Sequence, residues 1–209
     1  MRGVRSGRWN RGGHDGVEAS WRADHLDEAA LVQRAKDGDV DAYQCLVRCH
    51  QATAFHVAVL ISGNTADAQD AANDALVKAF YGLDRFRSGA PFRPWLLRIV
   101  ANEARNRRRS SARRARLADR LRLAGQVSGT RTLSPDDAVV AAFEHRALFD
   151  AVCRLEPRDR EVIALRYLAE LSEAETAAAI GCAAGTVKSR LHRALGRLRG
   201  ALLAEATDA

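Results

Sequence analysis

Leu171 to Arg199 reads LSEAETAAAIGCAAGTVKSRLHRALGRLR, and this stretch decides the architecture of the chain. Ser172 followed three residues later by Glu175 is the pattern of a capping box opening a helix. Gly181 suits the C-terminal cap of that helix. A second helix follows, with Val187, Leu191, Ala194, Leu198 and Leu202 on one apolar stripe of helical period. The stripe leaves Thr186, Lys188, Ser189, His192, Arg193 and Arg197 facing outward. Two helices joined by a glycine turn make a helix-turn-helix. No carboxylate occurs from Gly181 to Arg199, so the outward face suits the DNA major groove, where Lys and Arg meet guanine and phosphate and Ser or Thr read either partner. A merely solvated basic face would require none of this agreement among cap, turn and face.

A chain of 209 residues is longer than one helix-turn-helix needs and is enough for two small all-helical units. The net charge of +7 and a pI near 9.8 point to a polyanionic partner, with the densest cationic block from Arg105 to Arg122. The longest apolar run, AFHVAVLI at Ala54 to Ile61, is well short of the roughly 20 residues that span a bilayer, so no membrane insertion is expected. The N-terminus, MRGVRSGRWNRGGHDG, has the charge of a signal peptide but no apolar segment behind it. It reads as a disordered basic tail covering residues 1–24. Cys45, Cys49, Cys153 and Cys182 sit in apolar helical patterns, as reduced thiols of a cytoplasmic protein do. Cys45, Cys49 and His50 lie close on one helix, but no second ligand pair has zinc-like spacing. A core role is therefore expected for them, with no metal and no cofactor.

Helical patterns run almost without a break, and no segment alternates with period two. The expected class is all-α, with two small helical domains joined by a flexible linker. A first helix spans about Leu26 to Asp37 and closes at Gly38; Asp39 caps a second that reaches about Ile61 and stops at Gly63 and Asn64. Thr65 then caps a third, whose apolar face carries Leu76, Ala79, Phe80 and Leu83 and whose other face carries an acidic ridge at Asp67, Asp70 and Asp74. DRFRSGAPFRPW forms a loop, after which a helix begins at Trp95 and grows basic toward its end, with Asn102 and Asn106 one turn apart. Residues 115–134 read as the linker. Ser134 and Pro135 open the second domain, 135–205, with helices over about 135–154, 157–168, 173–180 and 184–204.

The stretch LEPRDREVIALRYLAELSEAETAAAIGCAAGTVKSRLHRALGRLR resembles the fourth domain of the extracytoplasmic-function (ECF, group 4) sigma factors of bacterial RNA polymerase. DEAALVQRAKDGDVDAYQCLV, ADAQDAANDALVKAF and DRFRSGAPFRPWLLRIVANEARNRRR resemble their second domain, residues 25–114. The resemblance implies a transcription-initiation factor with no catalytic activity of its own. Its partners would be promoter DNA and core RNA polymerase, through the clamp helices of the largest subunit and the flap of the second-largest, and an inhibitory anti-sigma factor of the kind common in the family. By the same resemblance Lys188, Ser189, His192 and Arg193 enter the major groove of the minus-thirty-five element, with Thr186 and Arg166 on phosphate. The loop of Arg87, Ser88, Gly89, Ala90 and Phe92 holds a flipped base of the minus-ten strand, and Asn102 and Asn106 contact that strand. Arg105, Arg107, Arg108 and Arg109 attract its phosphates. Asp67, Asp70, Asn73 and Asp74 match the surface that docks on the basic clamp helices; Asn73 and Asp74 are each one methylene shorter than the Gln and Glu usual there. Thr176 and Ala183 replace the usual Ile and the usual Ser or Pro. If Thr176 is buried, its hydroxyl can bond the carbonyl one turn earlier.

A stand-alone helix-turn-helix regulator would bind duplex DNA tightly without polymerase, but it leaves the acidic ridge and the first-domain stretches without a use. An enzyme needs a converging nucleophile, base and oxyanion donors, or metal ligands, and none stands at recognisable spacing.

Overall fold

The computed structural model describes residues 28–122 and 146–208. The basic tail, most of the linker and the Ser134–Pro135 helix start lie outside the described residues. Helix α1 covers 28–36 and ends at Gly38, whose φ of 94° is one that side-chain-bearing residues rarely adopt. Asp39 caps α2 (Val40–Ser62), accepting from the Ala42 N–H at 3.0 Å. The cap of α3 (Thr65–Gly82) is Asn64 rather than Thr65: its carboxamide oxygen accepts from the Asp67 N–H at 2.7 Å, which leaves Thr65 as the first helical residue. Helix α4 (Phe92–Arg122) starts three residues before Trp95. It tolerates Pro94 because the N–H that proline lacks would have no partner in the first turn. At its other end it carries through 115–122, part of the expected linker, because Arg, Ala and Leu there are good helix formers and no Gly or Pro intervenes.

The core of this first domain is made where α2, α3 and α4 meet. Leu46, Val57 and Ile61 of α2 face Leu96, Leu97 and Val100 of α4, all at most 1% exposed. Ala68, Ala71, Ala72, Ala75 and Ala79 form the buried face of α3, and their small size lets its backbone approach closely. Helix α2 is long and apolar enough over part of its length to meet the criterion for a membrane span, with a window mean hydropathy of 1.2. Here its apolar face is covered by α3 and α4, as in the core helix of a globular domain. Tyr43 ties α2 to α3 by donating its hydroxyl to the Leu76 carbonyl at 2.5 Å; burial pushes that hydroxyl up to about 12, so it stays a donor.

The second domain contains α5 (Arg146–Arg154), α6 (Pro157–Ile163) continuing through a π turn at Ala164–Leu168, α7 (Glu173–Ile180) and α8 (Ala184–Asp208). Val162, Leu165, Leu171 and Val187 fill its centre. All described regular structure is helical, so the class is all-α. The domains also touch: α4 lies against α7, and α2 against α6.

Thr176, in this second core, departs from expectation. It is fully buried, and its hydroxyl bonds no carbonyl and has no hydrogen-bond partner. A buried unsatisfied hydroxyl is costly, and an apolar isostere removes the cost. Thr176→Val is expected to raise stability by about 1 kcal/mol, read as a higher midpoint in urea unfolding of the full chain.

Candidate nucleic-acid interface

The helix-turn-helix is built by local chemistry. Ser172 Oγ accepts from the Glu175 N–H at 3.2 Å, and Glu175 Oε2 accepts from the Ser172 N–H at 2.7 Å, so the capping box closes in both directions. Gly181, at φ 77°, donates its N–H to the Ala177 carbonyl and turns the chain into α8. On α8, Val187 and Ala194 are fully buried and Leu198 nearly so. Lys188, Ser189, His192 and Arg193 are exposed, and Thr186 is half-buried beside them. Arg193 donates its Nε–H to the Ser189 carbonyl at 3.2 Å, which lays the guanidinium along the outer face. Two residues are more constrained than the sequence suggests. Arg197 pairs with the buried Asp159 carboxylate, and Arg166 donates to the Leu171 carbonyl from the π turn, bracing the entry to α7.

The loop between α3 and α4 is pinned from α1. Lys36 Nζ donates to the Phe86 carbonyl at 2.9 Å and to Ser88 Oγ at 3.2 Å. Arg87, Ser88 and Gly89 are exposed and Ala90 partly so; Gly89 has φ 79°, and no atom lies within 4 Å of where a Cβ would sit. Phe92 is only 2% exposed and packs with Phe86 and Trp95 at ring separations of 5.9 and 5.6 Å. It anchors the loop rather than standing at its tip. Between this loop and α1 lies a cavity of about 320 Å³, lined by Val32, Gln33, Phe86, Ser88 and Phe92 among others. Lys36 was not visible as a site residue in the sequence because its partners lie about 50 positions away.

Asn102 and Asn106 are both exposed on α4, about 6 Å apart along its axis. Arg105, Arg107, Arg108 and Arg109 do not form one cationic surface. Arg105 donates to Asn102 Oδ1 and to the carbonyls of Ala179 and Ile180 in the second domain. Arg107 pairs with Asp70 at 2.8 Å and Asp74 at 2.5 Å. Arg108 donates to the Ile61 carbonyl at 3.2 Å, while Arg109 stays exposed. The acidic ridge is divided as well. Asp67 is turned inward, accepting from Asn64 and Ser111 at 2.7 and 2.6 Å. Asp70, Asn73 and Asp74 remain on the outer side of α3, where Gln69 donates to Asn73 at 3.1 Å.

Sequence reading also passed over Glu161. It lies on α6, 3% exposed, and its Oε1 is 3.2 Å from Arg105 Nη1. The contact is an ion pair whose angle does not make a hydrogen bond. Burial pushes the Glu161 carboxyl above the usual carboxylate range, against the pull of Arg105 and Arg108. The available signal was a carboxylate one turn before Leu165, in the buried register of α6. Among the described residues no group of three or more His, Cys, Asp or Glu side chains could hold a metal. Cys49 is exposed rather than core, and His50 is paired with Glu28 at 2.6 Å.

Comparison with known proteins converges on these two domains. Residues 46–114 match the model for sigma-70 region 2, and residues 145–198 match that for sigma-70 region 4. The chain is 33% identical over 179 residues to the ECF RNA polymerase sigma-E factor of Escherichia coli strain K12, covering 82% of this chain and 92% of that protein. The chain belongs to the ECF RNA polymerase sigma factors. RNA polymerase sigma factor NccH of Alcaligenes xylosoxydans xylosoxydans is 32% identical over 180 residues, covering 84% of this chain and 94% of its own length. Among solved structures, the sigma factor RpoE in complex with the anti-sigma factor NepR from Bartonella quintana superposes with a TM-score of 0.63 at 27% identity, covering 77% of this chain and 96% of that one. The helix-turn-helix of this ECF sigma factor is thus its region 4, and α2, α3 and most of α4 are its region 2.

Proposed function

We propose that this ECF sigma factor works as a group 4 factor through two-point promoter recognition, with no catalytic activity of its own. Lys188, Ser189, His192 and Arg193 read the minus-thirty-five duplex from α8, with Thr186 and, once the domains are engaged on DNA, Arg166 on phosphate. Asn102, Asn106 and the Arg87–Ala90 loop receive the opened minus-ten strand, and Arg105 and Arg109 guide its backbone. Asp70, Asn73 and Asp74 dock on the basic clamp helices of the largest polymerase subunit, and the second domain meets the flap of the second-largest. The carrying observation is that two DNA-suited faces stand on helices of different domains while a carboxylate stripe occupies a third helix. One small reader of duplex DNA needs only the first of these. A cytoplasmic site of action follows from this role, and regulation by an anti-sigma factor is supported by the NepR-bound relative.

Purified chain added to core RNA polymerase is expected to start transcription at discrete genomic promoters in a run-off screen, with neither component active alone. Tight, sequence-specific duplex binding by the chain alone, with no promoter found in that screen, would assign it to the stand-alone regulators instead.

A further inference from the structure

Helix α1 and the loop between α3 and α4 face each other across the cavity of about 320 Å³. Glu28, Val32 and Gln33 of α1 line one side, and Phe86, Ser88 and Phe92 line much of the other. Val32, Phe86 and Phe92 are at most 5% exposed, so the apolar part of the lining is held by the core. A small apolar cavity with a few polar groups around it is the usual form of a small-ligand site, and this volume lies at the lower end of the range. Helix α1 is tied down at both ends. Glu28 pairs with His50 of α2 at 2.6 Å, and the His50 ring lies 5.6 Å from that of Phe92. At the other end Lys36 Nζ donates to the Phe86 carbonyl and to Ser88 Oγ. Both acceptors belong to residues that line the cavity, whereas Lys36 itself does not. Gln33 is exposed, and Asp37 orients its amide. Because a carboxylate can only accept, Gln33 Nε2 is the end that meets Asp37 Oδ1, at 3.1 Å, which leaves Oε1 as an acceptor that no described residue uses.

We infer that α1 supplies the second wall of the minus-ten base site, with Gln33 as a specificity-determining residue and Lys36 as a positioning residue that acts through Phe86 and Ser88. The inference rests on the reading of the Arg87–Ala90 loop as the receiver of an unpaired base, and it assigns part of the selectivity to a helix about 50 positions earlier in the chain. An unpaired base packs its ring on Val32, Phe86 and Phe92 and turns its edge to Gln33 Oε1. An acceptor there suits adenine or cytosine, whose exocyclic amino groups donate. Thymine and guanine present a carbonyl at the equivalent position and would set two acceptors against each other, leaving both unsatisfied. Lys36 fixes the spacing between the walls. The loop it holds includes Gly89, at φ 79° with no atom within 4 Å of where a Cβ would sit, so little else packs on that part of the loop to fix it. Without the Lys36 contacts the loop keeps its side chains and loses its set distance from Gln33.

The experiment uses holoenzyme reconstituted from the full chain and core RNA polymerase, with fork-junction DNA whose unpaired minus-ten positions are randomised, and the bound DNA is sequenced. The unsubstituted protein is expected to enrich adenine or cytosine over thymine and guanine about tenfold at one unpaired position. Gln33→Leu should abolish that preference and keep those at the other unpaired positions. Lys36→Met should lose the same preference at the same position, an outcome that a general loss of stability does not produce. A lysine that merely met strand phosphate would instead weaken all sequences alike, so uniform weakening with the preference kept would overturn the role of Lys36. Preference retained in both variants, or lost in only one of them, would overturn the inference. A preference for thymine or guanine at the position that Gln33→Leu alters would overturn the acceptor assignment. No preference at any unpaired position in the unsubstituted protein would overturn the loop reading itself, and the inference with it. Should Lys36→Met unfold the first domain, Ser88→Ala, which removes one of the Lys36 acceptors from the far side, takes its place with the same expectation.

Discussion

Asp70→Arg combined with Asp74→Arg is expected to abolish co-purification with core RNA polymerase, weakening association by about 100-fold or more, because like charges brought together at an interface cost several kcal/mol. The side chains are 57% and 45% exposed, so the substitutions should leave helix α3 and its buried alanine face intact. Arg107 complicates the argument in an informative way, since it neutralises part of the ridge through both carboxylates. Arg107→Gln is accordingly expected to leave docking intact or strengthen it by freeing the two acids. Asp67→Asn should have no effect on docking, because Asp67 is used inside the domain by Asn64 and Ser111. Undiminished co-purification of the double arginine variant, with a native circular dichroism spectrum, would refute the ridge as the docking surface.

The contrast between Asp67 and Asp74 shows where sequence reading stops. Helical spacing puts both on one side of α3, and it cannot say that Asp67 lies under Ser111 of α4, 44 positions away. The basic block is divided for the same reason. Arg105, Arg107 and Arg108 read as a phosphate-binding run, yet each spends its guanidinium on an acceptor between 33 and 75 residues distant. By contrast, every feature that defines the helix-turn-helix acts within about two turns. The Ser172–Glu175 box, the Gly181 cap and the Val187–Ala194 stripe need only their neighbours, and all were legible. Asn64 in place of Thr65 as a cap is a boundary effect in which two adjacent residues could each serve, whereas α4 runs on through 115–122 of the expected linker because good helix formers continue there. Cys49 reads as core because it sits inside an apolar helical pattern, but its own direction on α2 faces solvent.

Arg193→Ala and Asn102→Ala are expected to fail at different steps. Arg193 lies on the exposed face of α8 with its guanidinium held along that face through Ser189. Loss of a base-edge arginine contact costs about 1–3 kcal/mol and relaxes preference at the base pair it reads. Upstream-duplex binding by the reconstituted holoenzyme should therefore fall roughly tenfold to a hundredfold at the preferred element, and much less at elements altered there. Lys188→Ala, if it loses a phosphate contact instead, should weaken all sequences alike and lower the salt slope by about 1. Asn102 is different because its carboxamide is exposed on α4 and can donate to and accept from the edge of an unpaired base, but cannot reach one still stacked in a duplex. Asn102→Ala should thus keep duplex binding in a footprint while permanganate reactivity of the opened strand drops severalfold. Its side chain also accepts from Arg105, so Asn102→Asp, which keeps the acceptor and loses the amide donor, separates the two roles. Normal opening in Asn102→Asp would make Asn102 a positioning residue for Arg105, and failure there would place its amide on the base. Equal loss of both steps in Arg193→Ala and Asn102→Ala would deny that binding and opening reside on separate helices.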